Sequence, residues 1–140
     1  MFFAVFVASL LGADLNENAK KELKSLEGEW TVVATASNDK ERELPVDEQM
    51  AVTITGTKFT FSKYGDAQIT ALDPTTTPKI LDFKMLRKPE SGVTNEAIYK
   101  FEKDTLTVVV YLGEGSKRPA AFDVPKDADT MRFTLKRLKK

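Results

Sequence analysis

Acid–base chemistry in this chain would fall to Asp, Glu, Lys, Tyr and Ser, because its 140 residues include neither histidine nor cysteine. Without histidine the commonest general base and transition-metal ligand is missing. Without cysteine there is no thiolate nucleophile, disulfide, Cys-held metal cluster or lipid-modified Cys. The conspicuous carboxylates do not combine into a paired site. Asp73 precedes Pro74 and Asp104 precedes Thr105, positions where turns use an Asp to accept backbone hydrogen bonds. Asp82 sits in a strand whose opposite face carries Leu81, Phe83 and Met85, so it is expected on the outer surface, facing a lysine. No second acid is placed opposite it, and no phosphate loop, EF-hand spacing or nucleophile elbow occurs. The expectation is a protein without catalytic residues, cofactor or metal.

Binding is the chemistry these residue types serve better, and two sets stand out. One is the apolar series Val32, Val52, Ile54, Phe61, Ile69, Phe83, Tyr99, Phe101, Val108 and Phe133, which strand alternation turns to one side. The other is Lys117-Arg118-Pro119, inside a connection from Gly113 to Asp129 that is long for a small domain. There Lys117 and Arg118 are candidate anchors for an anionic group at the barrel mouth; the alternative has Phe122 plugging a gap in the core and the basic pair solvated. The charged connection from Asn38 to Gln49 carries Leu44-Pro45-Val46 and has the composition of a lid.

Eight short runs of alternating apolar and polar residues must position these side chains: 30–35, 50–55, 59–62, 68–71, 80–85, 97–101, 106–111 and 131–137. They are rich in Thr and β-branched residues, and their period of two means one wet and one dry face. Turn chemistry at Gly56-Thr57, Tyr64-Gly65-Asp66, Asp73-Pro74 and Lys103-Asp104 separates them. Before them, Ala19, Leu23 and Leu26 recur at helical spacing, with Asn16 or Asn18 as cap and Gly28 as stop. One short helix followed by eight strands fits an all-β, up-and-down barrel; a two-sheet sandwich shares the same periodicity.

Residues 1–13, from Met1 to Ala13, carry no charge, and polarity begins at Asp14. The run is too short to span a bilayer, which takes about 20 residues. It matches the apolar core of an export signal followed by small residues; a retained helix packed on the domain is the alternative. The chain thus divides into a signal (1–13), a helix or linker (14–27) and a barrel domain (28–140), with no membrane anchor after signal removal. Basic and acidic residues balance at 21 each. The cluster Arg132, Lys136, Arg137, Lys139 and Lys140 therefore reads as a solvated strand end, and no nucleic acid is expected.

Leu26-Glu27-Gly28-Glu29-Trp30 opens the first strand with a Gly-x-Trp. Further on stand Leu72-Asp73-Pro74 with Pro78-Lys79-Ile80-Leu81-Asp82, Ile98-Tyr99 leading to Asp104-Thr105-Leu106-Thr107, Lys117-Arg118-Pro119 with Phe122, and Leu135-Lys136-Arg137. In this order and spacing, over residues 20 to 138, the chain resembles a small lipocalin-like domain family of planctomycete bacteria with a calycin-type barrel. The resemblance implies export and a lipocalin-like fold; it assigns no binding residue. Parity puts Arg137 on the apolar face with Met131, Phe133 and Leu135, where a guanidinium needs a partner. The resemblance implies that it stacks on Trp30 at the barrel floor, rather than Trp30 lining a pocket.

Two functions follow as expectations. The first is an exported monomer, in the periplasm or secreted, that binds a small apolar or amphipathic ligand. Phe61, Phe83, Tyr99 and Phe101 would line a cavity of a few hundred Å³, and Lys117 and Arg118 would stand at its rim, away from Trp30. The alternative is a structural or protein-interaction module with a filled barrel, marked by Val33, Val109 and Tyr111 as an exposed apolar patch.

Overall fold

The computed structural model describes residues 16–86, 94–113 and 117–138. The segment 1–13, read as an export signal, lies outside them. Asn16 accepts the Ala19 amide on its side chain (2.8 Å) and so starts helix α1, Glu17–Leu26. Its apolar positions Ala19, Leu23 and Leu26 are buried.

Nine strands follow: β1 (Gly28–Ser37), β2 (Lys40–Glu43), β3 (Met50–Thr55), β4 (Lys58–Phe61), β5 (Gly65–Asp73), β6 (Lys79–Met85), β7 (Thr94–Glu102), β8 (Thr105–Tyr111) and β9 (Thr130–Arg137). All pairings are antiparallel between neighbours in sequence, except that β1 skips to β3 and also pairs with β9. That last pairing closes eight strands into an up-and-down barrel. The sandwich is thereby excluded.

β2 is the ninth strand and corrects the reading of 38–49 as a free lid. Asn38 and Asp39 both have positive φ (49° and 64°), the geometry of a two-residue hairpin turn that Asn and Asp tolerate. The hairpin pairs Ala34–Ser37 with Lys40–Glu43. It exists because β1 changes partners halfway: Gly28–Val32 pair with β3, and a bulge at Val33 then shifts the register against β9. Before the bulge Trp30 and Val32 face inward; after it Thr35 pairs with inward Phe133, so Ala34 and Ala36 face outward. A second bulge in β5, at Thr70, returns Leu72 to the inside opposite Leu81.

The closed end is built on Trp30 and Arg137, which are paired across β1 and β9. The guanidinium carbon lies 4.3 Å from the Trp30 ring centroid and 5.5 Å from that of Phe101. Its nitrogens donate to the carbonyls of Ser25 (2.7 Å) and Glu27 (2.9 Å), and Trp30 Nε1 donates to that of Leu26 (2.9 Å). Carbonyls at a helix C-terminus have no intrahelical partner and carry partial negative charge; here one cation and one indole take three of them. Gly28 has φ +134°, and a Cβ on it would stand 3.1 Å from Arg137 Nη1. Glycine is thus needed twice, for its backbone and for the room it leaves.

The helix is held from its other side by Glu22, which accepts Tyr99 Oη (2.8 Å) and Lys79 Nζ (2.9 Å). Tyr99 is fully buried. Burial first, then the hydrogen bond and negative charge of Glu22, raise its phenol pKa well above the ordinary value, which is about 10.

Two outcomes are expected. Trp30→Ala should cost about 3–5 kcal/mol and Arg137→Ala about 2 kcal/mol, against about 0.5 kcal/mol or less for Thr31→Ala on the outer wall, measured by urea denaturation. For Tyr99 the raised folded pKa sets the sign of a pH effect. Above about pH 10 the unfolded chain releases a phenolic proton that the folded protein retains, so stability falls as pH rises. The loss between pH 9 and 11 should be smaller in Tyr99→Phe than in the parent protein.

Candidate functional site

Above the Trp30 floor the barrel interior is open. A cavity of about 630 Å³ is lined by Val32, by Met50, Val52 and Ile54 of β3, by Phe59 and Phe61 of β4, and by Phe83 and Met85 of β6. Leu106, Val108 and Val110 of β8, Phe133 and Leu135 of β9, and Asn95 at the start of β7 complete the wall, with Tyr64 and Leu112 at the mouth.

Side-chain size decides where the space lies. The floor end holds Trp30, Leu26, Tyr99 and Phe101, which with Arg137 fill the width of the barrel. Higher up, four lining positions are valines, too short to meet across an eight-stranded barrel. Phe59 packs edge-on against Phe61 (centroids 6.1 Å apart) and tilted against Phe83 (6.4 Å), along one wall instead of across the axis. The mouth lies away from α1, between the β4–β5 turn and the ends of β6 and β8. Three described residues at its edge are apolar or aromatic: Tyr64 is 55% exposed and Leu112 57%, and Leu86, next to Met85, is 50% exposed.

Of the residues expected to bind ligand, Phe61 and Phe83 line this cavity. Tyr99 and Phe101 do not. Both point inward but stand at floor level, Phe101 edge-on to Trp30 (5.7 Å) and Tyr99 bound to Glu22. Alternation gives the side of the sheet a residue faces but not its height in the barrel.

Lys117 and Arg118 also stand elsewhere than expected. Arg118 lies against the outer wall, donating from Nη1 and Nη2 to the two carboxylate oxygens of Asp82 (2.5 and 3.0 Å) and from Nη1 to the Ala97 carbonyl (3.0 Å). Asp82 therefore faces outward but meets an arginine, not a lysine. Its carboxylate, by hydrogen bonding, pushes the guanidinium pKa higher still. Lys117 beside it is exposed and lines no part of the cavity.

From Arg118 the chain runs as a strap across the barrel's outside. Phe122 and Val124 cover Ile98, Val109 and Ala36, outward residues that share one row across β7, β8, β9 and β1 with Arg132 between them. Arg132 donates to the Phe122 carbonyl (2.8 Å), and the Asp39 amide to that of Val124 (2.6 Å). Phe122 thus packs outside the barrel instead of plugging its core. Val109 is buried beneath the strap, so Val33, Val109 and Tyr111 form no single exposed patch.

Asn95, Met50, Met85, Tyr64 and Leu112 belong to the cavity without having been singled out as binding residues. Counting back by twos from Tyr99 and Ala97 reaches Asn95, the one signal available, but its polarity disguises it as a strand end. Among the described residues no group of three or more carboxylates is placed to hold a metal ion. Asp73 accepts from the Thr75 hydroxyl (2.6 Å) and then its amide (2.9 Å), which lower its pKa in that order of effect.

Fold and cavity define the class: a closed, up-and-down eight-stranded barrel, consistent with a lipocalin-like barrel, with an apolar chamber open at one end. Compared with family models, curated proteins and solved structures, the chain has no match in any of the three.

The position of Arg118 yields a test of its role. Arg118→Glu should lower stability by about 1–3 kcal/mol, as expected for a charged hydrogen bond lost from a partly buried pair. Affinity for an apolar fluorescent probe should stay within twofold of the parent. A large loss of probe binding in an otherwise folded variant would return Arg118 to the mouth.

Proposed function

We propose that this protein is an exported lipocalin-like binding protein that holds a small apolar or amphipathic molecule inside its barrel. The observation that carries this reading is the chamber of about 630 Å³ with hydrocarbon walls and one open end. Its volume lies in the range of small-molecule sites, about 300–1,000 Å³, which are likewise mostly apolar with few polar groups. A wall of Val, Ile, Leu, Met and Phe releases water as it takes up an apolar guest, and the gain grows with the apolar area covered. Methionines at 50 and 85 adapt to differing shapes. The uncharged segment 1–13 and the family resemblance support an extracytoplasmic setting, in which the protein acts as a monomer.

The test uses N-phenyl-1-naphthylamine, an uncharged dye that brightens when it leaves water. Binding is expected in the micromolar range, on the order usual for a ligand of its size. Val108→Trp and Val52→Phe, which place bulk in the chamber, should each weaken it at least tenfold while leaving the folded far-ultraviolet dichroism intact. Failure of the dye to bind, or binding unaffected by both substitutions, would overturn the reading.

A further inference from the structure

The chamber's walls also bear on which ligands it admits. Among the described residues no Lys, Arg, Asp or Glu lines it, and the only side chain there with a strong neutral hydrogen-bonding group, apart from the Tyr64 hydroxyl at the mouth, is the Asn95 amide. Two charged residues next in sequence to lining residues are turned away. Lys84 alternates with lining residues Phe83 and Met85, and Glu96 follows Asn95 and lies 4.0 Å from Arg118 on the outer wall. Arg118, one of the two cations read from the sequence as anchors for an anionic head group, is bound by Asp82 outside the barrel.

Asn95 stands opposite Phe83 at the upper end of β7, near Leu112. It is half-buried, and its amide has no hydrogen-bond partner among the described residues. An amide offers donors and an acceptor without charge. It can satisfy a hydroxyl or carbonyl on a ligand, whereas a carboxylate drawn into this chamber would lose its hydration with no cation in the described wall to compensate.

Resting on the reading of the barrel as a binding site, we propose that the chamber selects uncharged ligands: an apolar body with one neutral hydrogen-bonding group, an alcohol, ketone or amide, that meets Asn95 below the mouth. The corresponding carboxylates are discriminated against. The apolar body then fills the space between the valines of β1, β3 and β8 and the phenylalanines of β4 and β6.

Displacement of N-phenyl-1-naphthylamine by 1-decanol and by decanoate at pH 7.5, both below their aggregation limits, tests this on the full protein. Decanol should displace the dye at least tenfold more effectively than decanoate. Asn95→Leu, similar in size but without the amide, should weaken decanol about five- to tenfold, the effect of one hydrogen bond, and so narrow the ratio. Decanoate equal to or better than decanol would overturn the selectivity while leaving the binding site standing. An unchanged decanol affinity in Asn95→Leu would overturn the role of Asn95. If the dye itself fails to bind the parent protein, the binding-site reading falls and the selectivity falls with it.

Discussion

One guanidinium joins three parts of this molecule that would otherwise be separate. Arg137, on the last strand, lies over the indole of Trp30 on the first and donates to two carbonyls at the end of α1. Closure of the barrel, seating of the helix and sealing of the floor are therefore one event. A lysine at 137 could not replace it, because a single ammonium does not stack flat on an indole while directing two separate donors to fixed carbonyls. The glycine two residues before Trp30 is part of the same unit, since a Cβ there would crowd the guanidinium.

With the floor closed in this way, the two bulges decide which side chains the interior receives. Without the irregularity at Val33, β1 would turn Ala34 and Ala36 inward and expose Thr35. The observed register sets those alanines outward, and Ala36 becomes part of the small apolar row on which Phe122 and Val124 rest. The strap is thus a consequence of strand geometry: an outward row of Ile98, Val109 and Ala36 needs cover, and residues 117–127 supply it. Asp82 with Arg118 at one end and the Asn38-Asp39 turn at the other fasten it down. The charged groups named here stand on the outer wall and at the floor, and the described lining of the upper interior carries none.

Much of this architecture is legible in the sequence, and what is not has a common cause. The helix with its Asn16 cap, the all-β class and eight of the nine strands follow from local periodicity and turn residues, because these depend on neighbours a few positions away. β2 escapes that reading: its residues, Lys-Glu-Arg-Glu, are all exposed and have no dry face to alternate with. The turn Asn38-Asp39 was its one visible mark. Of the candidate site, Phe61 and Phe83 were legible as inward aromatics, but the height of Tyr99 and Phe101 depends on the stagger between strands, which no single strand encodes. The place of Arg118 is not legible for a related reason. A basic pair in a long loop says nothing of which side of the wall the loop crosses, and that was fixed by Asp82, 36 residues earlier.

The cavity itself results from residue sizes distributed along the barrel axis. Near the floor, the largest side chains of the chain converge with α1 beneath them, and close packing there supplies the rigidity of a sealed end. Toward the mouth, valines replace them at positions that share the same inward parity, and the phenylalanines lie along the wall. A barrel filled throughout with aromatics would gain packing contacts over its whole length, yet it would have no room for a guest. In this molecule the tightly packed floor and the outer strap hold the strands in place, so the wall between them can keep its shape around an unfilled interior. Stability and capacity are assigned to different levels of one barrel. That separation is what allows an eight-stranded wall, only just wide enough for its own side chains, to carry a binding chamber at all.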